Sequence, residues 1–251
     1  GSNSVNIQPK GDSTFNINGA SYVAYLFAHD PDGENDDGMI ACGSYTGTNN
    51  TTHPIVDLGW EPQYIMIKRT NGTGNWYVWD SMRGLTADGS FDTEIYPSSS
   101  GGEYAGREAI NITSTGFEVN STNTANNGSG NTYIYMAIRA PMMKEPESGS
   151  EVFAVDNGNG SDIPAWTSGF PVDMVFWSDT TGDNHKIASR LTGARVLETD
   201  TTGVEVAQGS HEFDYSDGFY SATRSSVQYA HMFKRAKGFF DVVAYTGNST
   251  A

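Results

Sequence analysis

The sequence has almost none of the features that staple a fold covalently or anchor it in a membrane. Cys42 is the single cysteine in 251 residues, so the chain cannot form an intramolecular disulfide. This excludes the small disulfide-rich secreted domains, and the fold has to be held together by packing alone. No apolar run reaches the roughly 20 residues that a membrane-spanning helix needs, and we expect no membrane insertion.

Basic residues are scarce as well. The chain has 14 Lys and Arg against 30 Asp and Glu, which gives a formal net charge of -16. A surface with this charge repels the phosphate backbone of nucleic acids and attracts cations. We therefore expect no nucleic-acid partner.

Sequence motifs of catalysis are missing too. The chain contains no Gly-x-Ser-x-Gly elbow, no phosphate-binding loop and no dinucleotide fingerprint, and its five histidines show no metal-ligand spacing. We predict a protein that is not an enzyme and assign no catalytic residue. A glycan depolymerase, which would need two carboxylates across a groove, is the weakest of the functional alternatives.

The residues that are abundant predict an all-β fold. With 29 Gly, 13 Tyr, 12 Phe and 5 Trp, and many Thr, Ser and Asn, the composition favours short strands joined by tight turns, with few or no helices. β-branched and aromatic runs bounded by Gly, Asn or Pro mark the strands. These predicted strands are Tyr22–Ala28, Ile40–Tyr45, Tyr64–Lys68, Trp76–Asp80, Phe117–Asn120, Thr132–Ile138, Val152–Val155, Asp173–Trp177, Lys186–Arg190, Val204–Ala207, Gln228–Phe233 and Phe240–Tyr245.

Comparison of the chain with itself reveals an internal repeat. The phrase "YVAYLFA" at Tyr22 returns as "YIYMAIRA" at Tyr133 and as "YAHMFKRA" at Tyr229. Each is followed by a second strand-like run, namely "MIACGSYTG", "EVFAVDNGNG" or "FFDVVAYTG", and "DLGWEPQYIMIKRTNGTGNW" aligns without a gap on "TSGFPVDMVFWSDTTGDNHK". The period of about 90 to 110 residues is typical of one small β domain per repeat.

This register divides the chain into tandem antiparallel β-sandwich domains of jelly-roll or lectin-like type. We assign 1–37 to the tail of a preceding repeat, 38–141 to the first complete repeat, 142–150 to a linker, 151–237 to the second complete repeat and 238–251 to the first strand of a further repeat. Excision from a longer array explains this division most simply. The alternative is that the terminal runs pair with each other and complete a domain across the ends.

The same phrases, in the same order and spacing, carry a resemblance to a known family. "YVAYLFAHDPDGENDDGMIACGSYTGT", "DLGWEPQYIMIKRTNGTGNWYVWDSMRG" and "YAHMFKRAKGFFDVVAYTGN" resemble the repeat modules of tail-fibre-like virion proteins from tailed phages of aquatic bacteria, in the manner of cyanophages. The resemblance covers most of residues 20–251. It implies a bacteriophage structural protein in an extracellular virion appendage, with other virion proteins as partners and a homo-oligomer, such as a trimer, as its assembly.

An acidic segment is the candidate metal site. "HDPDGENDDG" places Asp30, Asp32, Glu34, Asp36 and Asp37 around a turn glycine. Alternating oxygen ligands of this kind can wrap Ca²⁺, although the spacing is not that of an EF-hand. The alternative is a solvated acidic turn between two strands.

Two tryptophans are candidates for carbohydrate binding. Trp60 aligns with Phe170, so that position calls for a large buried ring. Trp76 and Trp79 align instead with Lys186 and Ser189, so the shared core does not require their rings. We expect these two rings to be partly exposed and able to stack on a sugar, against the alternative of packing that is unique to the first repeat.

These observations lead to two functional hypotheses from different classes. The first is a virion structural module that extends a tail fibre or related appendage and contacts the host surface through its loops, Asn71–Asn75 and Ser98–Gly106 among them. The second is a calcium-dependent, lectin-like receptor-binding domain that recognises a host-cell surface glycan.

Overall fold

Short strands joined by turns make up nearly all of the regular structure. The computed structural model describes residues 17–27, 38–49, 52–88, 92–140, 145–179, 185–193, 195–207, 211–222 and 228–245. Within these ranges the strands are β1 (Ile40–Thr46), β2 (Ile55–Asp57), β3 (Pro62–Arg69), β4 (Trp76–Asp80), β5 (Ile110–Thr113), β6 (Gly116–Val119), β7 (Thr132–Arg139), β8 (Phe153–Asn157), β9 (Trp166–Thr167), β10 (Met174–Asp179), β11 (Lys186–Ser189), β12 (Arg195–Glu198), β13 (Val206–Ala207), β14 (His211–Glu212), β15 (Gly218–Ser221) and β16 (Gln228–Phe233). The helical pieces are the single turn α1 (Thr124–Asn127) and the 3₁₀ turns Ser81–Arg83 and Gly149–Glu151.

The first repeat is built from two antiparallel sheets. One has the strand order β1-β7-β3-β4, and the other has the order β2-β6-β5. Because side chains alternate along a strand, every second residue points into the space between the sheets. Ile65 and Ile67 of β3 and Phe117 and Val119 of β6 are fully buried in one shared apolar cluster. This cluster is the first core.

The second repeat uses the same strand order. Its large sheet is β13-β12-β11-β10-β16-β8 and its small sheet is β14-β15-β9. Read from β8, the large sheet runs β8-β16-β10-β11, which matches β1-β7-β3-β4 strand for strand. Val175, Trp177 and Phe219 are buried in a separate apolar cluster, the second core.

The predicted fold class is therefore confirmed: the chain is nearly all β, with antiparallel, sandwich-like sheets. Trp60 and Phe170 are both buried, as their shared position predicted. The domain limits stay predictions. Leu191, which lies in the second predicted domain, is buried in the first core. The Leu191 carbonyl also accepts a 2.9 Å hydrogen bond from the Ala87 amide.

The strands predicted around Tyr22 and Phe240 are not formed. Residues 21–27 and 241–245 belong to no strand in the described part of the chain, and Phe240 makes only an isolated bridge to Ala236. In each complete repeat the corresponding runs pair with one another. The two terminal runs have no such partner among the described residues, so the alternative of a pairing across the ends is not formed there.

Within the described residues, no helix is long and apolar enough to cross a bilayer.

Candidate functional site

A surface built on Tyr77, Glu94, Tyr96, Tyr104 and Arg107, here called the tyrosine surface, lies beside β4. Val78 and Ile95 exchange backbone hydrogen bonds of 3.0 Å in each direction, and Glu94 and Tyr104 exchange bonds of 2.9 Å. These two bridges add the segment after β4 to the edge of the large sheet. Residues opposite each other across such a bridge share a face, so Glu94 and Tyr104 are neighbours.

The tyrosine rings form a continuous stack from the first core to solvent. Tyr77 is buried and meets Tyr96 edge to face, with ring centroids 4.9 Å apart. Tyr96 then stacks on Tyr104 at 4.6 Å. Tyr104 is 38% exposed. One ring at the end of the stack is therefore held rigidly at the surface.

A buried carboxylate sits beside the stack. Glu94 is almost fully buried, and its Oε1 accepts a hydrogen bond from the Tyr96 hydroxyl. The Arg107 Nε lies 3.7 Å from the same oxygen, and the Arg107 side chain is itself half exposed. Burial raises the pKa of Glu94, and the hydroxyl and the guanidinium act against that rise.

Comparison with the second repeat shows that this arrangement is not required by the fold. Val78 pairs with Ile95 as Ile187 pairs with Leu197, so the counterpart of Glu94 is Val196, a fully buried core residue. A carboxylate replaces an apolar side chain at this position, at a cost in desolvation. The first repeat therefore has a carboxylate beside a partly exposed aromatic ring where the second repeat has an apolar core residue.

Trp76 lies on the other face of β4 from Tyr77. Its ring is 37% exposed, and its backbone amide donates a 3.1 Å hydrogen bond to the Ser98 hydroxyl. Ser98 in turn donates to the Asn75 side-chain oxygen at 3.3 Å. The expected exposure of Trp76 is confirmed, and its role in carbohydrate binding stays a prediction.

The expected exposure of Trp79 is wrong. Its ring is fully buried in the first core, and its indole N–H has no hydrogen-bond partner among the described residues. The gapless alignment with Ser189 fails by one position, because Trp79 lies opposite Ile65 while Ala188 lies opposite the equivalent Val175. A shift of one residue moves a side chain to the other face of a strand.

Each core has a buried tryptophan that the other core lacks at the equivalent position, and these two tryptophans lie in different sheets. In the first core the large ring comes from Trp79 of β4, and the facing small sheet supplies Val56. In the second core Ala188 replaces Trp79, and the small sheet supplies the fully buried Trp166 instead of Val56. A large ring that is absent from β11 is thus present in β9 of the facing small sheet.

The acidic segment lies outside the described residues. Asp30, Asp32, Glu34, Asp36 and Asp37 all fall between 28 and 37, so the calcium site stays a prediction. Among the residues that are described, no group of three or more His, Cys, Asp or Glu is placed to hold a metal ion.

A cleft of about 670 Å³ separates the two repeats. Arg235 reaches across it and donates to both carboxylate oxygens of Glu61, at 2.7 and 3.2 Å. The Arg235 Nε also donates to Asp241 at 2.7 Å, and Arg190 pairs with Asp173 at 3.3 Å. Because these cations are satisfied by neighbouring carboxylates, the cleft is better suited to joining the repeats than to binding an anion.

A second buried carboxyl in the first repeat is structural. Asp92 is fully buried and accepts backbone hydrogen bonds from Ile110 at 3.0 Å and from Thr86 at 3.5 Å. Burial raises its pKa to about 8, against the opposing effect of these hydrogen bonds. Asp92 ties the start of β5 to the turn after β4, and it has no exposed atoms to offer a ligand.

Sequence reasoning missed Glu94, Tyr96, Tyr104 and Arg107 as site residues. The signal was present in part, since Tyr104 lies in the predicted contact loop Ser98–Gly106. What the sequence does not display is the pair of bridges that fold this loop against β4.

The repeated strand order and the antiparallel, sandwich-like sheets define the class of protein as nearly all-β. A family model described as "Domain of unknown function (DUF7483)" matches residues 2–141, which is more than half of the chain, and the protein belongs to this family. No curated protein and no solved structure matches the chain.

Proposed function

We propose that this chain is a non-enzymatic structural module of a phage tail fibre or related virion appendage, which it extends by stacking sandwich domains in tandem. The observation that carries the proposal is the repeated strand order, β1-β7-β3-β4 followed by β8-β16-β10-β11. When each repeat contacts the next one through the same surfaces, adding repeats lengthens the appendage without requiring a new fold or a new interface.

The contacts between the repeats support a stiff joint. Leu191 enters the first core from the second repeat, and Arg235 binds Glu61 with two hydrogen bonds. Bidentate pairs of this kind fix direction as well as distance. On the basis of the resemblance to tail-fibre-like virion proteins, we propose that the protein lies in an extracellular virion appendage, contacts other virion proteins and forms a homotrimer.

Immunogold electron microscopy of virions that encode this sequence tests the structural role. Antibodies raised against the protein are expected to label a tail appendage at a constant distance from the capsid. Labelling of the capsid alone, or of no part of the particle, would overturn the proposal.

Recognition of a host-cell glycan is the second candidate function, and the tyrosine surface favours it. The partly exposed ring of Tyr104 suits the apolar face of a sugar ring, and the half-exposed guanidinium of Arg107 offers a donor for the sugar hydroxyl groups. Calcium held by the acidic segment would add a second contribution to glycan binding, and a chelator would remove that contribution.

Binding of the labelled protein to host cells and their extracted glycans, with and without EDTA, tests this candidate. Tyr104→Ala and Arg107→Ala are expected to lose saturable binding, whereas Tyr229→Ala, which removes a similarly exposed tyrosine from the second repeat, retains it. Loss with EDTA alone would place the site at the acidic segment. Unchanged binding in all three variants would exclude the tyrosine surface.

A further inference from the structure

The outer face of the second large sheet, which is the side turned away from the second core, is apolar. Val175 and Ala188 point into that core, so their neighbours along each strand point outward. The register places five outward residues in one row across five strands, in the order Val155, His231, Phe176, Ile187 and Leu197. Val155 is 51% exposed and Leu197 is 41% exposed, so both ends of this row are open to solvent.

A second row lies beside the first on the same face. Its directly opposed members are Phe153, Phe233, Met174 and Ser189. The Phe153 and Phe233 ring centroids are 5.0 Å apart, and those of Phe176 and His231 are 5.8 Å apart. An antiparallel sheet that faces water on one side carries polar residues there, whereas these two rows contain no Asp, Glu, Lys or Arg. The outer face therefore has the composition of a covered surface.

The first repeat has the same feature at the equivalent place. The corresponding row on the outer face of its large sheet consists of Cys42, Met136, Met66 and Val78. Charged residues enter this face only in the rows to either side, at Lys68 and Asp80. An apolar central row on the outer face is thus shared by both repeats.

The charge of the chain favours a second copy as the partner of these faces. With a net charge of -16, two copies repel each other over most of their surfaces. The two rows of the second repeat have no charged side chain, so copies that meet there bring no like charges into contact. A basic partner would require carboxylates to pair with, and these rows contain none. A second copy also presents an apolar row on each of its two repeats.

We propose that copies of this chain assemble through the outer face of the second large sheet, with the equivalent face of the first repeat extending the contact. Strands about 4.8 Å apart and outward residues about 6.8 Å apart make each face roughly 20 by 20 Å, or on the order of 400 Å². Two such faces approach the roughly 800 Å² per partner of a stable interface. The proposal specifies a surface for the homo-oligomer and does not depend on a location in a virion.

Sedimentation velocity tests this assembly. The unsubstituted protein is expected to have a weight-average mass above that of the monomer, and this mass is expected to rise with protein concentration. Val155→Glu and Leu197→Glu are each expected to weaken the association roughly tenfold or more, because each places an unpaired carboxylate in the contact. Both side chains are exposed in the single chain, so thermal unfolding is expected to show that the variants keep their fold.

Ile55→Glu is the matched control. Ile55 is a 73% exposed, β-branched residue of β2 in a small sheet, so this variant adds the same charge away from the outer face. Its mass at each concentration is expected to equal that of the unsubstituted protein. A protein that is monomeric at every concentration, or an equal effect of Ile55→Glu and Val155→Glu, would overturn the proposal.

Carbene footprinting of the unsubstituted protein gives a second measurement that needs no variant. Labelling of Val155 and Leu197 is expected to fall as protein concentration rises, while labelling of Ile55 stays constant. Constant labelling at all three residues would contradict the proposal. Shielding of Val155 and Leu197 in intact virions, together with a monomeric purified protein, would assign the face to a different virion protein and also overturn it. Immunogold microscopy tests the location separately, so a monomer in solution leaves that result unaffected.

Discussion

Two tryptophans three residues apart on one strand have opposite surroundings. Trp79 is fully buried in the first core, while Trp76 is partly exposed on the other face of β4. Trp79→Ala is expected to lower the free energy of unfolding by about 3–5 kcal/mol through cavity formation. Trp76→Ala is expected to lower it by about 1 kcal/mol or less.

Urea unfolding of both variants, followed by circular dichroism, measures this difference. Similar losses of stability for the two variants would show that Trp79 is not the anchor of the first core.

Asp92 makes the stability of the protein depend on pH in a direction opposite to that of most carboxylates. The folded state holds its proton up to about pH 8, whereas the ordinary pKa of the group is 3.8. Between these values the unfolded state binds fewer protons, so the free energy of unfolding falls as pH rises, and the stabilising contribution is complete only below about pH 4. Asp92→Asn is expected to remove this fall.

Chemical denaturation at pH 5 and pH 8 tests the assignment, with the unsubstituted protein as reference. If the variant and the reference lose stability in parallel between these pH values, another group causes the dependence.

At the scale of elements, the two small sheets share a close approach that only glycine allows. A Cβ on Gly116 of β6 would collide with the Val56 carbonyl of β2, and a Cβ on Gly218 of β15 would collide with the Trp166 carbonyl of β9. Both partners are backbone atoms in paired strands, which cannot move away without breaking the pairing. Gly116→Ala and Gly218→Ala are each expected to cost about 1–3 kcal/mol.

Gly74→Ala provides the control, because a Cβ at Gly74 has no neighbour within 4 Å. Thermal unfolding of the three variants is expected to show two lowered midpoints and one unchanged midpoint. A midpoint for Gly116→Ala equal to that of Gly74→Ala would argue against the close approach.

The sequence predicted elements well where the pattern was long and repeated. The phrases of β1, β7, β8 and β16 were located because they recur, and β3 and β10 because both carry runs of apolar residues. The strands β2, β5, β9, β12, β14 and β15 were missed, since runs of two to four residues are too short to show a clear period. They owe their strand structure to pairing with neighbouring strands.

The candidate site was less predictable than the fold. Trp76 was recognised as exposed, but Trp79 was misplaced. Nine residues separate the paired residues Ile67 and Tyr77, whereas eight separate the equivalent pair Trp177 and Lys186, and a gapless alignment hides this difference. Glu94 is recognised as a carboxylate at a core position only when it is compared with its buried counterpart Val196. That comparison requires the strand register, which the sequence does not show. Acidic residues are too numerous in this chain for composition to single one out.

At the scale of the whole molecule, the two repeats are predicted to be energetically coupled. Leu191 belongs to the second repeat and is buried in the first core. Leu191→Ala is expected to destabilise by about 2–5 kcal/mol and to speed amide hydrogen exchange in β5 and β6 of the other repeat. Leu197→Ala removes an exposed leucine from the neighbouring strand β12 and is expected to leave that exchange unchanged.

Hydrogen-exchange mass spectrometry on both variants distinguishes coupling from independence. Faster exchange confined to peptides of the second repeat in Leu191→Ala would show that the repeats fold separately.

The different positions of buried tryptophan in the two cores also limit how far their sheets are interchangeable. A chimera with the small sheet of the first repeat and the large sheet of the second would bring Val56 and Ala188 into one core, and the reverse chimera would bring Trp166 and Trp79 into one core. Neither combination occurs in the two cores of this chain, so each sheet is matched to its own partner.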